Sequence, residues 1–281
     1  MDTNLNFTAT SATYEDHMGT DLTVVNAARA SFNKRSQWRF PSKEAPYEGA
    51  ILQQQHMQAT PRFLSKGDAN LLRFLATGYR STEWSEFLNT VMACKDPVAL
   101  EKLLFSYKNK AQHWAPFAHP QVQISLAMPI FLARQMVKHQ IGGTWSEESR
   151  RYLEDNRVYA EAPVWHDRPE DVKQGAGAPL PGDAQQYVTN LYETSTAVSD
   201  ATYAELRRIG VAPEEARTVL PLNLMTHVTW TGSLLFWARV CNQRLDSHAQ
   251  NAAQFLARQI NDIVQPLFPV SWPLLVPGVE K

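Results

Sequence analysis

Ser149, Arg150 and Arg151 stand side by side and offer a hydroxyl and two guanidinium forks within three residues. That combination suits a phosphate, because a planar guanidinium bonds two oxygens at once and the hydroxyl takes another. The same run, with Glu147 and Glu148 before it, also suits a surface ion-pair cluster of small energetic value. Upstream, Gln135 and His139 are spaced as one helical turn, as are Arg134 and Lys138, so polar groups converge near a helix end. Basic residues favour helix C-termini without any further role, and that bland alternative stays open for Lys138, His139 and Gln140. Arg217 and Arg244 flank a mostly apolar stretch, Val219 to Val240. Each is either functional or a structural side chain whose stem lies on the core.

Other chemistries find less support. Gly175-Ala176-Gly177 is too short for a dinucleotide fingerprint and follows no strand. Walker A, HExxH and GxSxG patterns are absent from the sequence. His113 and His119 have no third ligand at metal spacing, so no metal site is expected. Cys94 and Cys241 form no CxxC pair, and neither has the electropositive neighbours that activate a thiolate. A cysteine nucleophile and a disulfide framework are therefore not expected, and a reducing cytoplasm is the natural location.

The elements that must position these groups come from a chain of 281 residues, 44% apolar and 20% charged, with a net charge of −1. That balance fits a soluble globular protein and gives no global attraction to nucleic acid or acidic membrane. Met1 to Thr13 has no export-signal pattern, and no apolar run approaches the roughly 18 residues of a membrane span. Alternation predicts a short strand over Leu5, Phe7 and Ala9, and a second, one-sided strand carrying Val122, Ile124, Leu126 and Met128. Helices are expected over Asp21–Ser31 (Leu22, Val25 and Ala28 inward), from an N-cap at Asp68 to a stop at Gly78, near Ser81, and from Asp96-Pro97. Residues 33–66 read as an irregular excursion. After Pro129, a helix is expected to run to His139 with Ile130, Ala133 and Val137 buried, broken by Gly142-Gly143 and followed by a polar loop from Ser146. Pro163 to Gly182 reads as loop; further helices are expected over Asp183–Gly210, after Pro221, and from about Ser247 to Leu267. Strands at the front and middle with helices elsewhere give the α+β class, as one domain over 1–281.

Ordered motifs carry the reading further. Met18-Gly19-Thr20-Asp21-Leu22 through Ala27-Ala28-Arg29-Ala30-Ser31-Phe32 is followed by His113-Trp114-Ala115-Pro116-Phe117-Ala118-His119. Pro129 to Gln135 leads into Lys138-His139-Gln140 and Ser146-Glu147-Glu148-Ser149-Arg150-Arg151-Tyr152. Lys173-Gln174-Gly175, Ala216-Arg217 with Leu220-Pro221, and Arg244-Leu245-Asp246-Ser247-His248-Ala249-Gln250 complete the series. Together, over about half the chain and in family order, these resemble the flavin-dependent thymidylate synthases, in particular a divergent, phage-like branch with Lys-His-Gln. The chain departs from the family pattern at Ala118, Ser146, Ser233-Leu234-Leu235 and Arg239, and residues 79–110 resemble a helical insertion.

The resemblance implies a mixed β-sheet with helices, assembled as a homotetramer whose active sites draw on several subunits. It implies reductive methylation of dUMP to dTMP, with methylenetetrahydrofolate as carbon donor and FAD reduced by NADPH. Alternatives are another flavin- and folate-dependent C5 one-carbon transfer, such as dUMP hydroxymethylation, or a non-catalytic relative that binds flavin or nucleotide. By resemblance, Gln135, Lys138, Glu147, Glu148, Ser149, Arg150, Arg151 and Arg217 hold dUMP. Ser31, His113, Lys138, His139, Gln140, Glu147, Ser233 and Arg239 meet FAD, Arg239 restoring a positive charge one helical turn from Leu235. Arg244 is the expected catalytic residue, stabilising negative charge at N3 and O2 of the pyrimidine so that C5 becomes nucleophilic. Such a mechanism needs no cysteine. Cys94→Ser and Cys241→Ser are therefore expected to retain measurable turnover; a folded but inactive variant of either would exclude this chemistry.

Overall fold

The computed structural model describes residues 9–41, 62–108, 112–153, 157–168 and 176–278. Its elements in chain order begin with β1 (Ser11–Met18), α1 (Asp21–Ala30), α2 (Lys66–Thr77), α3 (Ser81–Ala93), α4 (Pro97–Lys108), β2 (Gln121–Pro129) and α5 (Ile130–Met136). They continue with β3 (Gly143–Glu147), α6 (Gly182–Arg208), α7 (Pro213–Ala216), β4 (Met225–Ser233), α8 (Leu234–Arg244), α9 (Asn251–Leu267) and α10 (Trp272–Leu275). The four strands make one sheet in the order β1-β2-β4-β3. The class is α+β, as the alternation and helix signals predict.

The residues gather into two compact units, each assembled from three stretches of chain. The first takes residues up to 16, 123–231 and 240–261, and it holds most of the sheet. In β2 the predicted alternation is realised, with Val122, Ile124, Leu126 and Met128 buried and their neighbours half-buried. β4 is a correction. The stretch after Pro221 was expected to be helical, yet Met225–Ser233 forms a strand with Thr226, Val228 and Trp230 buried. Its β-branched and aromatic residues suit a pleated surface and override the apolar-run reading. β3 is a second correction, since Ser146 and Glu147 end a strand rather than open a loop. α5 stops at Met136, short of His139, and buries Leu132, Ala133 and Met136, while Ile130 and Val137 are only half-buried. Long α6 is tied down by Asp200, which accepts from Arg157 and from Tyr159 Oη at 2.7 Å. Burial and the Asp200 carboxylate push the Tyr159 hydroxyl up to about 12.

The second unit takes 17–122, 232–239 and the residues from 262 onward. α1 buries Val24 and Val25 completely, where Leu22, Val25 and Ala28 were expected to share the inward side. α2 is capped by Ser65, not by Asp68 as expected; the Ser65 hydroxyl accepts from the Asp68 amide at 3.1 Å. At its other end Gly78 adopts φ 74°, the left-handed stop that glycine makes without a steric penalty. α3 and α4 form the expected helical pair, gathered around Tyr79, Trp84, Phe87 and Tyr107, whose rings lie 5.1–6.1 Å apart. Gly232 precedes α8 because any Cβ there would lie 2.1 Å from the Phe236 ring.

Of the remaining expectations, Leu5 and Phe7, residues 42–61, and Lys173-Gln174-Gly175 lie outside the described residues. α6 ends at Arg208 and α9 begins at Asn251, with Ala252, Ala253, Leu256, Ile260 and Val264 buried along its inner face. No helix among the described residues is long and apolar enough to cross a membrane.

Arg29, from the first family-like motif, serves the fold. Its Nη2 and Nε donate to Asp68 Oδ1 at 2.6 and 3.1 Å, beside the Ser36 hydroxyl at 2.7 Å, while the Ser65 hydroxyl donates to Oδ2 at 2.6 Å. Asp68 is only 3% exposed. Burial raises its carboxyl, but the bonds from Ser65, Ser36 and Arg29, with the arginine's charge, outweigh that and hold it below its ordinary value. The lowered value means this contribution is full above the unfolded value near 3.8 and is lost as pH falls through the folded one. Arg29→Ala strands a buried carboxylate and is expected to cost roughly 3 kcal/mol in urea unfolding near neutral pH, with the difference shrinking in acid.

Candidate active site

Arg244 ends α8, and its Nε donates to His139 Nε2 at 3.0 Å. Its Nη2 reaches the Gln135 carbonyl oxygen at 3.4 Å. The turn after α5 makes this possible: Val137 and His139 donate to Ala133 and Met136 carbonyls as the chain leaves the helix, which sets His139 facing Arg244. His139 therefore does not lie above Gln135 on one helical face, as its spacing predicted. A ring nitrogen that accepts from a guanidinium carries no proton, so His139 is neutral with its hydrogen on Nδ1. Burial, followed by the Arg244 charge, holds its pKa below the ordinary 6.5. Burial likewise lowers Arg244, though a guanidinium stays charged. Among the described residues Arg244 Nη1 has no bonded partner, and Gln135 Oε1 is buried without one. Such a constellation presents a fixed positive charge and an open acceptor to a planar, polar ligand.

The end of β3 carries the predicted phosphate run. Glu147 Oε1 accepts from Thr226 Oγ1 at 2.9 Å and Oε2 from Trp145 Nε1 at 3.0 Å, so both oxygens are fixed by neutral donors. Glu148 Oε2 lies 3.0 Å from His227 Nδ1, and its Oε1 lies 3.6 Å from Arg150 Nη2. The Ser149 hydroxyl accepts from Arg151 Nε at 3.2 Å, and the Arg151 guanidinium sits over the Tyr152 ring at 5.2 Å. Ser149 and Arg151 are thus adjacent at the surface, whereas Arg150 is turned inward and its Nε is buried without a partner.

A cavity of about 510 Å³ opens beside this run, lined by Ser125, Ser146, Glu147, Glu148, His227 and Thr229 among others. Trp145, Thr226 and His227 were missed in the sequence. For Thr226 and His227 the Thr and His alternation of β4 was the signal, and the helical reading hid it; Trp145 lies in β3, which was read as a break and a loop. Arg217 lies apart in a 3-10 turn, exposed, its Nε 3.3 Å from the Glu214 carbonyl oxygen. Lys138 and Gln140 are exposed in the turn after α5.

The remaining flavin-side residues belong to the second unit. Ser31 ends α1 and is exposed; His113 packs its ring 5.2 Å from Phe74. Arg239 is exposed on α8, and, among the described residues, no bonded partner faces it or Lys138. Ser233 is 5% exposed, and its hydroxyl accepts from the Phe236 amide at 3.2 Å, so it caps α8. The hydroxyl, imidazole and guanidinium of Ser31, His113 and Arg239 are exposed, and their hydrogen-bonding chemistry is of the kind that fits a dinucleotide's phosphates.

Within this α+β fold, the turn after α5 and the end of α8 thus bring Arg244, His139 and the Gln135 carbonyl together. The family described as "Thymidylate synthase complementing protein" matches residues 14–270, and the chain belongs to that family of enzymes, the flavin-dependent thymidylate synthases. The flavin-dependent thymidylate synthase of Thermosipho africanus (strain TCF52B) is 32% identical over 209 residues, spanning 74% of this chain and 90% of its own. That of Thermosipho melanesiensis (strain DSM 12029 / CIP 104789 / BI429) is 30% identical over 212 residues, spanning 74% of this chain and 90% of its own. In fold the chain is similar to the UMP/dUMP methylase PolB from Streptomyces cacaoi bound with 5-Br dUMP, at TM-score 0.62 and 21% identity over 94% of this chain and 93% of that one.

If Arg244 depends on a neutral His139, protonating the ring should release it. Nucleotide kcat/KM is expected to stay level down to about pH 6.5 and fall only below it, since the folded value is lowered. A pH profile of the wild type against His139→Asn, which should lack this acid limb, checks the assignment.

Proposed function

We propose that the enzyme converts dUMP to dTMP, with methylenetetrahydrofolate as carbon donor and FAD reduced by NADPH, in a cytoplasmic homotetramer built from single catalytic domains. The observation that carries this reading is Arg244, steered by neutral His139 and the Gln135 carbonyl with Nη1 left to donate. A guanidinium against the pyrimidine edge stabilises negative charge at N3 and O2, so electron density rises at C5 and attack on the carbon donor needs no enzyme nucleophile. Gln135 Oε1, buried and unpartnered, is an acceptor suited to a nucleotide N–H. Ser149 and Arg151 bind the phosphate, with Arg217 as a further cation. Lys138, His139, Gln140, Ser31, His113 and Arg239 would hold FAD, which when bound supplies the hydride that completes the methyl group.

One observation favours a second reading, C5 hydroxymethylation. Ser233 stands where the family carries an asparagine toward the flavin, and here it is buried and committed to α8. Water in place of hydride at the transferred carbon would give the hydroxymethyl product. The mass of the product formed from dUMP, methylenetetrahydrofolate, FAD and NADPH separates the two. A gain of CH₂ with one NADPH oxidised per nucleotide is expected; a gain of CH₂O without NADPH loss would establish hydroxymethylation. Arg244→Ala is expected to lower kcat by about 10²–10³ while the flavin absorbance of the purified tetramer is retained. A monomeric or flavin-free wild type by light scattering and absorbance would refute the assembly and cofactor assignments.

A further inference from the structure

His227 belongs to none of the groups so far given a role, yet it is bonded to the residue that opens the phosphate run. Its Nδ1 lies 3.0 Å from Glu148 Oε2, and its own carbonyl accepts from the Glu148 amide at 2.9 Å. Main chain and side chain of Glu148 are thus both fastened to one residue of β4. The neighbouring step repeats the pattern with Thr226 and Glu147, at 2.9 Å. On its other side, the Glu148 carboxylate faces Arg150, whose side chain is only 12% exposed. Arg150 is therefore drawn inward, and its two neighbours, Ser149 and Arg151, are left outward and bonded to each other.

We propose that His227 is a positioning residue for nucleotide binding: through Glu148 and Arg150 it fixes the Ser149–Arg151 run in the arrangement that receives a phosphate. A short run of long charged side chains loses considerable rotamer freedom when it closes on an anion. Fastening one end beforehand moves that cost from binding to folding. The Arg150 guanidinium, 3.6 Å from Glu148 Oε1, offsets part of the carboxylate's charge beside the incoming phosphate. His227 itself is 66% exposed in its side chain and borders the cavity of about 510 Å³, so replacing it leaves the core untouched.

This inference rests on the proposed assignment of Ser149 and Arg151 to the phosphate, and the test separates the two. dUMP binding is measured by calorimetry, and KM and kcat by steady-state turnover, in the FAD-loaded enzyme. Variants are His227→Leu, His227→Asn and Arg151→Ala. One hydrogen bond to a charged group corresponds to about a tenfold change, so His227→Leu is expected to raise Kd and KM about tenfold with kcat within about twofold. His227→Asn places an amide N–H where Nδ1 stood and is expected to recover most of the binding. Wild-type affinity in His227→Leu alongside weakened Arg151→Ala overturns the positioning role alone. Unchanged binding in Arg151→Ala overturns the phosphate assignment and the inference with it. A fall in kcat shared by both His227 variants shows direct contact with the reacting groups and also overturns it.

Discussion

An arginine that donates into a histidine ring denies that ring a proton. Here the denial is mutual, because a protonated His139 would push Arg244 out of line, while Arg244 makes protonation costly. The contact needs an early end to α5 and a long α8, since His139 comes from the turn after one and Arg244 from the last turn of the other. α8 is itself capped by Ser233 and preceded by Gly232, which lets the Phe236 ring lie against the main chain. Strand, glycine, cap and helix therefore act as one series that delivers a single guanidinium.

The two adjacent glutamates show how much environment matters to identical chemistry. Glu147 is held by a hydroxyl and an indole N–H, neutral groups that fix its oxygens without cancelling its charge. Glu148 has His227 Nδ1 at 3.0 Å from one oxygen and the Arg150 guanidinium 3.6 Å from the other, which is buried without a hydrogen bond. One carboxylate is held by neutral donors on both oxygens, and the other by an imidazole on one oxygen and a nearby guanidinium on the other.

Much of this was legible in residue order. β2 announced itself because one buried side forces strict alternation, and α2 because Gly78 supplies the only easy left-handed exit. The motif series that includes Arg244 and the Ser149–Arg151 run pointed to the family to which the chain belongs. β4 was not read, although His227, Thr229 and Thr231 alternate with Val228 and Trp230, because they sit inside the longer, mostly apolar stretch Val219 to Val240, where a buried strand and a buried helix look alike. With β4 hidden, Thr226 and His227 had no visible relation to Glu147 and Glu148, which lie far away in sequence. Asp68 was read as a cap because aspartate caps helices; its bond to Arg29 is a long-range fact that local propensity does not contain.

The placement of the two thiols has a practical consequence. Cys94 sits half-exposed after α3, its Sγ 3.5 Å from the Asp96 carbonyl oxygen, whereas Cys241 is fully buried in α8 near the Ala257 carbonyl. A maleimide dye should therefore attach at a single place in the native chain, on the helical pair around Tyr107. Cys241 becomes accessible only when the α8–α9 packing opens, so its slow alkylation is an intrinsic clock for the loosening of the helix that carries Arg244.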